Sequence, residues 1–435
     1  MPSDHLLTSP TPEAAIGDAV LIPEGLTSVA EPIAAAEGAL ADGLAASASD
    51  PDGFVFDRRG TGIASAEVAW RIEVPAGPDQ VARAADAASR ALSAIDAAGG
   101  QPPVVVGALP FEGTAPATLI VPRVAVLRRP DGTAWRVTVS RRPGNGKAGA
   151  GAPGPGADLG EDVADGDMPS ASAPSPDEFV RMVAEARDRI RAGDLEKVVL
   201  ARSLVIRGDA PFDRAALLRR LLETEIDAYT FAVDGFVGAS PELLVSRSGD
   251  AISANPLGGT ARRSRDPRED ADAARGLLAS GKDLREHQLV ADSVVADLSP
   301  VCRTLETNGP STRATATLWH LSTDVSGRLV DPAPSALELA ARLHPTPAVC
   351  GMPKQTALTL IDAMESFDRK LYRGLVGWMD AEGDGEWALI LRCARIDGDT
   401  ATLYAGAGIV AGSDPASELA ETDAKFGSML RALGA

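Results

Sequence analysis

The sequence predicts an α+β fold: large antiparallel sheets with helices packed on their outer sides. Three observations lead there. Apolar, β-branched runs such as "PPVVVGALPF" and "ATLIVPRVAVLRR" read as strands. Helical stretches are fewer and alternate irregularly with the strands. Near the end of the chain, "ALILRCARIDGDTATLYAGAGIVA" reads as a hairpin with Asp397-Gly398 at its turn.

The elements follow in order. Residues 1–50 are rich in Ala, Pro and Asp, have weak periodicity and are expected to be weakly structured. Residues 51–142 form an N-terminal α+β part. Its strands are "GFVFDRRG", "EVAWRIEV", the two apolar runs above and "AWRVTVSRR"; an Ala-rich helix, "GPDQVARAADAASRALSAIDAAGG", is closed by glycines. Residues 143–175 are Gly-, Ala-, Pro- and Asp-rich, and such a composition reads as a disordered insertion because it cannot bury apolar surface. "GNGKA" within it is not a phosphate-binding loop, since Arg141 stands where glycine is required and Ala148 where Ser or Thr is required.

Residues 176–435 are expected to be the catalytic part. They open with a helix: Ser175 as N-cap, Pro176 at the first position, Glu178 completing a capping box and Gly193 as terminator. Phe179, Val183, Ala186 and Ile190 make its apolar face. The strand "DLEKVVLARSLVI" follows, then the antiparallel candidates "TFAVDGFVGAS" and "ELLVSRSGDAISANP". A long helical stretch broken near Ser280-Gly281 comes next, and "ASELAETDAKFGSMLRAL" closes the chain as a helix.

Composition excludes several function classes. The 435 residues carry a formal net charge of −19, with no basic stripe to meet nucleic acid. The hydrophobic fraction of 45% and charged fraction of 24% are those of a soluble globular protein. Three distant cysteines suggest a reducing compartment and neither a disulfide framework nor a zinc site. No secretory signal and no membrane-spanning run is present, so a cytoplasmic protein is expected.

Several residues invite a chemical reading. Lys197 stands at the mouth of an apolar strand, either as an edge-strand lysine kept in water or as a base held in a site. Asp283 and Glu286 are three residues apart on one helix, and Glu418 and Glu421 on another; each pair lies on one helix face, as solvated charges or as ligands for a hard cation such as Mg²⁺. Glu242 marks a strand end or, if enclosed, a proton donor. In "NPLGGTARR", glycines allow a ligand to approach the backbone beside Thr260. "YAGAGIV" offers the same at Gly406 and Gly408. Arg392, among aliphatics in an expected strand, needs an anion, which an internal carboxylate or a substrate could supply. His320 and His344 either contact a ligand or satisfy loop carbonyls.

Taken in order, "EKVVLAR", "GASPELLVSR", "NPLGGTARR", "KDLREHQLVADSV", "LWHLSTDVSGRL", "LHPTPAVCGMPK", "YRGLVGWMD", "ALILRCARI" and "LYAGAGIVAGSDPASELAETDAK" resemble the chorismate-utilising enzymes, and within them the isochorismate synthases. The resemblance runs from about residue 179 to the C-terminus and is absent from 1–50 and 143–175. It implies two large antiparallel sheets packed as a sandwich with helices outside, around a Mg²⁺-dependent site. Lys197 matches the base that activates water for attack at C2 of chorismate, and Glu242 the acid that protonates the departing C4 hydroxyl. Glu286 and Glu421 match Mg²⁺ ligands, with Asp283 and Glu418 in support. Gly259, Thr260, His320, Tyr372, Arg392, Gly406 and Lys425 match substrate-contact positions, Arg392 and Tyr372 as the clamp for the enolpyruvyl carboxylate.

The implied reaction forms isochorismate for siderophore or menaquinone synthesis. No membrane partner and no amidotransferase subunit are expected; oligomeric state is not readable from the sequence, and a monomer is the default. The lysine-free loop Pro256-Leu257-Gly258-Gly259-Thr260 fits water rather than ammonia as nucleophile. "LHPTPAV" favours isochorismate over salicylate formation; a salicylate synthase and an inactive chorismate-binding relative are the alternatives. Gly258 where alanine is common, "TARR" for "TRPR" and Cys350 for glycine depart from the pattern, the first two being expected to loosen the loop.

Overall fold

The computed structural model describes residues 25–33, 47–48, 50–113, 115–141 and 170–435. Most of 1–50 and of 143–175, including "GNGKA", lies outside the described residues. Two described pieces of those stretches are strands. Leu26–Ile33 pairs antiparallel with Ala134–Arg141, and Ser170–Ala173 pairs with the far half of Lys197–Arg207, Ala173 facing Ser203.

Hydrogen bonds link the described strands into one large curled sheet, antiparallel except where Leu26–Ile33 meets Asp96–Ala97. The long strand Ala117–Arg128 is its hub and two wings leave it. One wing runs through Thr61–Val74, Phe54–Arg58, Tyr229–Val233, Phe236–Ser240, Cys393–Asp397 and Thr400–Ile409 to Lys197–Arg207. The other runs through Val104–Leu109, Leu375–Asp380, Gly385–Leu389, Leu243–Ser248 and Ala251–Ala254 to Leu318–Leu329. There Leu257–Arg262 and Cys302–Ala314 complete the end. Residues 51–142 and 176–435 are thus woven into one sheet.

The chain crosses between wings at two short links. Pro241-Glu242 leads from Phe236–Ser240 into Leu243–Ser248, and Ile390-Leu391-Arg392 leads from Gly385–Leu389 into Cys393–Asp397. Arg392 was expected within a strand. It lies instead in this link with φ 48°, because the backbone must turn out of one ladder to enter the other.

Helices cover the wings as their sequences dictate. Pro176–Ala192 starts at the Ser175–Glu178 capping box, ends at Gly193 (φ 92°) and buries Phe179, Val183, Ala186 and Ile190. Each fully buried large apolar side chain of that face contributes about 1.5–3 kcal/mol. Ser280 ends Pro267–Ala279 and caps Gly281–Leu298 through the Asp283 N–H, which makes the expected break. Pro415–Leu433 packs on Thr400–Ile409, and Gly281–Leu298 packs on Leu257–Arg262. Each helix therefore lies over the far end of a different wing. No helix among the described residues is long and apolar enough to cross a membrane.

Candidate active site

A cavity with about 550 Å³ of atom-free space, open to solvent, lies where the two wing ends and the two crossing links converge. Lys197 lines it and is 1% exposed. It is not an edge lysine: its strand is flanked by Gly351–Met352, with Met352 opposite Lys197, and by Thr400–Ile409. Its ammonium pairs with the Glu286 carboxylate at 3.0 Å. Gly408 makes this approach possible, since a Cβ there would stand 2.2 Å from Glu286 Oε1 and 3.0 Å from Lys197 Cε.

Glu242, on the Pro241-Glu242 link, lines the same cavity and is buried. Burial pushes its pKa up to about 7, against the opposing pull of the Leu257 N–H, which donates to Oε1 at 3.3 Å, and of Lys197, Arg392 and Lys425. A carboxyl so placed holds a proton near neutrality and can give it up.

One member of each helical acidic pair reaches the same cavity. Glu286 and Glu421 line it, while Asp283 and Glu418 stand just behind. Lysines meet these carboxylates: Lys197 with Glu286, Lys282 with Glu418 at 2.7 Å, and Lys425 with Glu421. Burial is the largest influence and acts to raise Glu421, but the charge and hydrogen bond of Lys425, the Thr260 hydroxyl and the Lys282 charge together hold the carboxyl below its ordinary value. Burial raises Asp283, and burial together with the Glu421 charge raises Glu418. The reading of these pairs as solvated faces does not hold for Glu286 and Glu418, which are buried.

The remaining expected contacts surround the opening. Gly259, Thr260, His320, Tyr372, Arg392, Gly406 and Lys425 all line the cavity. Thr260 and His320 are register partners on adjacent strands. His320 is buried, its pKa is pulled well down by burial and by the Arg392 and Lys425 charges, and among the described residues Nε2 has no hydrogen-bond partner. Tyr372 is stacked on Tyr404 with centroids 5.3 Å apart. Lys425 also donates to the Gly406 carbonyl at 2.8 Å. Arg392 lines the cavity and makes no ion pair among the described residues, while the Glu421, Glu225 and Glu242 charges act on its guanidinium from within the protein. His344 lies away from the cavity, its Nε2 3.2 Å from the Phe111 carbonyl oxygen, which is the structural role. The expected loosening at Gly258 is not seen, for a Cβ there would meet His287 Cα at 3.0 Å and the loop is tightly packed.

Sequence reasoning missed Arg373, Lys282 and the close packing at Gly408. Arg373 is next to a singled-out tyrosine, and only the fold shows that its guanidinium turns into the cavity. Lys282 adjoins Asp283, and its partner Glu418 is far along the chain.

Residues 160–434 match the family described as chorismate binding enzyme. The chain belongs to the chorismate-binding enzyme family. Among curated members of this family, the chain is 50% identical over 273 residues to isochorismate synthase DhbC of Bacillus subtilis, covering 60% of this chain and 69% of that protein. It is 40% identical to a putative isochorismate synthase MenF of Mycobacterium tuberculosis, covering 81% of this chain and 90% of that one. A crystal structure of a putative 2,3-dihydroxybenzoate-specific isochorismate synthase, DhbC from Bacillus anthracis, superposes with a TM-score of 0.76 at 37% identity, covering 91% of this chain and 99% of that chain. The menaquinone-specific isochorismate synthase MenF from Escherichia coli gives 0.75 at 25% identity, covering 96% of each.

Proposed function

We propose that this protein is an isochorismate synthase, an isomerase that replaces the C4 hydroxyl of chorismate by a hydroxyl at C2. One observation carries the reading: an enclosed lysine and an enclosed carboxyl with pKa near 7 line the same cavity of a chorismate-binding enzyme. Water is a poor nucleophile and hydroxide a poor leaving group, so the exchange needs a base and an acid. Lys197 takes a proton from the water that adds at C2. Both ring double bonds shift, from C1=C2 to C1=C6 and from C5=C6 to C4=C5, and Glu242 gives its proton to the hydroxyl that leaves C4 as water. Each transfer contributes about 10²–10⁴-fold. Arg392 and Tyr372 hold the enolpyruvyl carboxylate, Lys425 and the Gly259-Thr260 turn orient the ring, and the neutral His320 imidazole offers Nε2 as a polar contact. The two wings act as the layers of a sandwich closed over the substrate.

The donor set fits Mg²⁺. Among the described residues no three metal-ligating side chains converge. Glu286 and Glu421 nevertheless line the cavity with oxygen-only donors, and Mg²⁺ is commonly held by one or two carboxylates together with substrate oxygens and water. Asp283 and Glu418 would support these two ligands. Bound there, Mg²⁺ would neutralise the substrate's ring carboxylate. The protein works as a stand-alone cytoplasmic monomer, and its product feeds siderophore or menaquinone synthesis. Chromatography of the products of chorismate and Mg²⁺ tests this. Isochorismate alone, lost on adding EDTA, is expected; pyruvate with a fluorescent aromatic acid would show a salicylate synthase, and binding without turnover an inactive relative.

A further inference from the structure

The space above Gly406 is filled from within the chain. A Cβ at Gly406 would fall 1.7 Å from Nη2 of Arg373, so the glycine is what admits this guanidinium. Arg373 is 2% exposed and lines the cavity together with Arg392. Its Nη1 donates to the carbonyls of Val199 at 2.8 Å and Val349 at 3.1 Å. Nη2 has a long contact with the Leu200 carbonyl, 3.4 Å, and the Tyr372 hydroxyl and the Glu365 charge also act on the guanidinium. Among the described residues no carboxylate pairs with Arg373, while the nearby Arg369 is paired with Glu365. A buried cation without a counter-ion is costly, and such sites are retained where an anion arrives from outside. The backbone points the same way: both cavity arginines lie in the left-handed region, Arg373 at φ 67° and Arg392 at φ 48°. Non-glycine residues are held there at a cost, and such strain gathers at functional sites.

We infer that Arg373 is a further substrate-binding residue: a second guanidinium, anchored by backbone carbonyls through Nη1, that offers Nη2 to the enolpyruvyl-type carboxylate of a cyclohexadiene dicarboxylate. The choice between the substrate's two carboxylates follows from position. The guanidinium lies over the Tyr372 ring, 5.1 Å from its centroid, and against Gly406, whereas the Glu286 and Lys197 pair meets at Gly408, two residues along the same strand. This rests on the chorismate reading above.

The test is steady-state kinetics of the full chain with chorismate and Mg²⁺, with 4-hydroxybenzoate, which has a ring carboxylate only, as competitive inhibitor. Losing a charge-assisted hydrogen bond of about 1.5–3 kcal/mol corresponds to roughly 10–150-fold. Arg373→Gln is therefore expected to raise KM for chorismate by at least about tenfold, with kcat changed less than about threefold. The inhibition constant of 4-hydroxybenzoate should stay as in the wild type. Arg373→Lys, which keeps the cation, should lie in between, and it decides the matter if the glutamine variant does not fold. An unchanged KM, or an equal weakening of both ligands, overturns the inference. Failure of the wild-type protein to convert chorismate would instead overturn the functional reading on which it rests.

Discussion

Glu242 and Glu421 are the same residue type in the same cavity, yet their protons are held oppositely. Glu242 sits on a link between wings with one N–H donor on its carboxylate, and burial raises it to about 7. Glu421 sits on a helix with Lys425 one turn on, and that ammonium, with the Thr260 hydroxyl and the Lys282 charge, keeps it below its ordinary value despite burial. The difference teaches how one pocket holds a proton donor and a permanent anion together. The donor is a carboxyl with few cations in contact; the anion is a carboxyl whose cation comes from its own helix.

Breaking either side should separate the two roles. The largest effects belong to the proton-transfer pair: Lys197→Ala and Glu242→Gln should each lower kcat by about 10²–10⁴-fold in a continuous assay of isochorismate. Gly408→Ala drives a methyl into Glu286 and Lys197 together and should cost about 10²-fold in kcat, with the circular dichroism spectrum unchanged. Lys425→Met removes the cation that keeps Glu421 charged. The Mg²⁺ concentration for half-maximal activity should rise about tenfold, read by titration of activity with the ion.

Stability offers a sharper contrast. The folded Glu242 carboxyl binds its proton more tightly than in the unfolded chain, whose value is near 4.5. Stability at this residue is therefore lost as pH rises from about 4.5 to 7, and the full cost, about 3 kcal/mol, applies above that range. Glu242→Gln should be more stable than the wild type by about that amount near pH 8, with the gain vanishing near pH 4, as denaturant titration would show. At the bottom of the scale, Arg285→Ala breaks an exposed pair with Glu196 and should change stability by less than about 0.5 kcal/mol.

Much of this was legible in the sequence, for physical reasons that differ by element. The helix Pro176–Ala192 was readable to its caps because capping chemistry is local. The hairpin at Gly398 (φ 59°) was readable because its turn type demands that residue. The residues gathered at the cavity came from the order of motifs, since the strand pattern alone favoured Lys197 as an edge lysine kept in water. What could not be read depends on contacts across long separations. The wings share a hub strand far upstream of the catalytic motifs, Arg392 leaves its strand because two ladders meet there, and Arg373 enters the cavity only through the space at Gly406.

The central claim is that Lys197 delivers water to C2 while Glu242 releases the C4 hydroxyl. Mass spectrometry of isochorismate formed from chorismate in heavy-oxygen water tests it most directly. The wild-type protein should place one heavy oxygen in the product, and Lys197→Ala should form almost none. Unlabelled isochorismate from the wild type, or labelled product at an undiminished rate from Lys197→Ala, would contradict it.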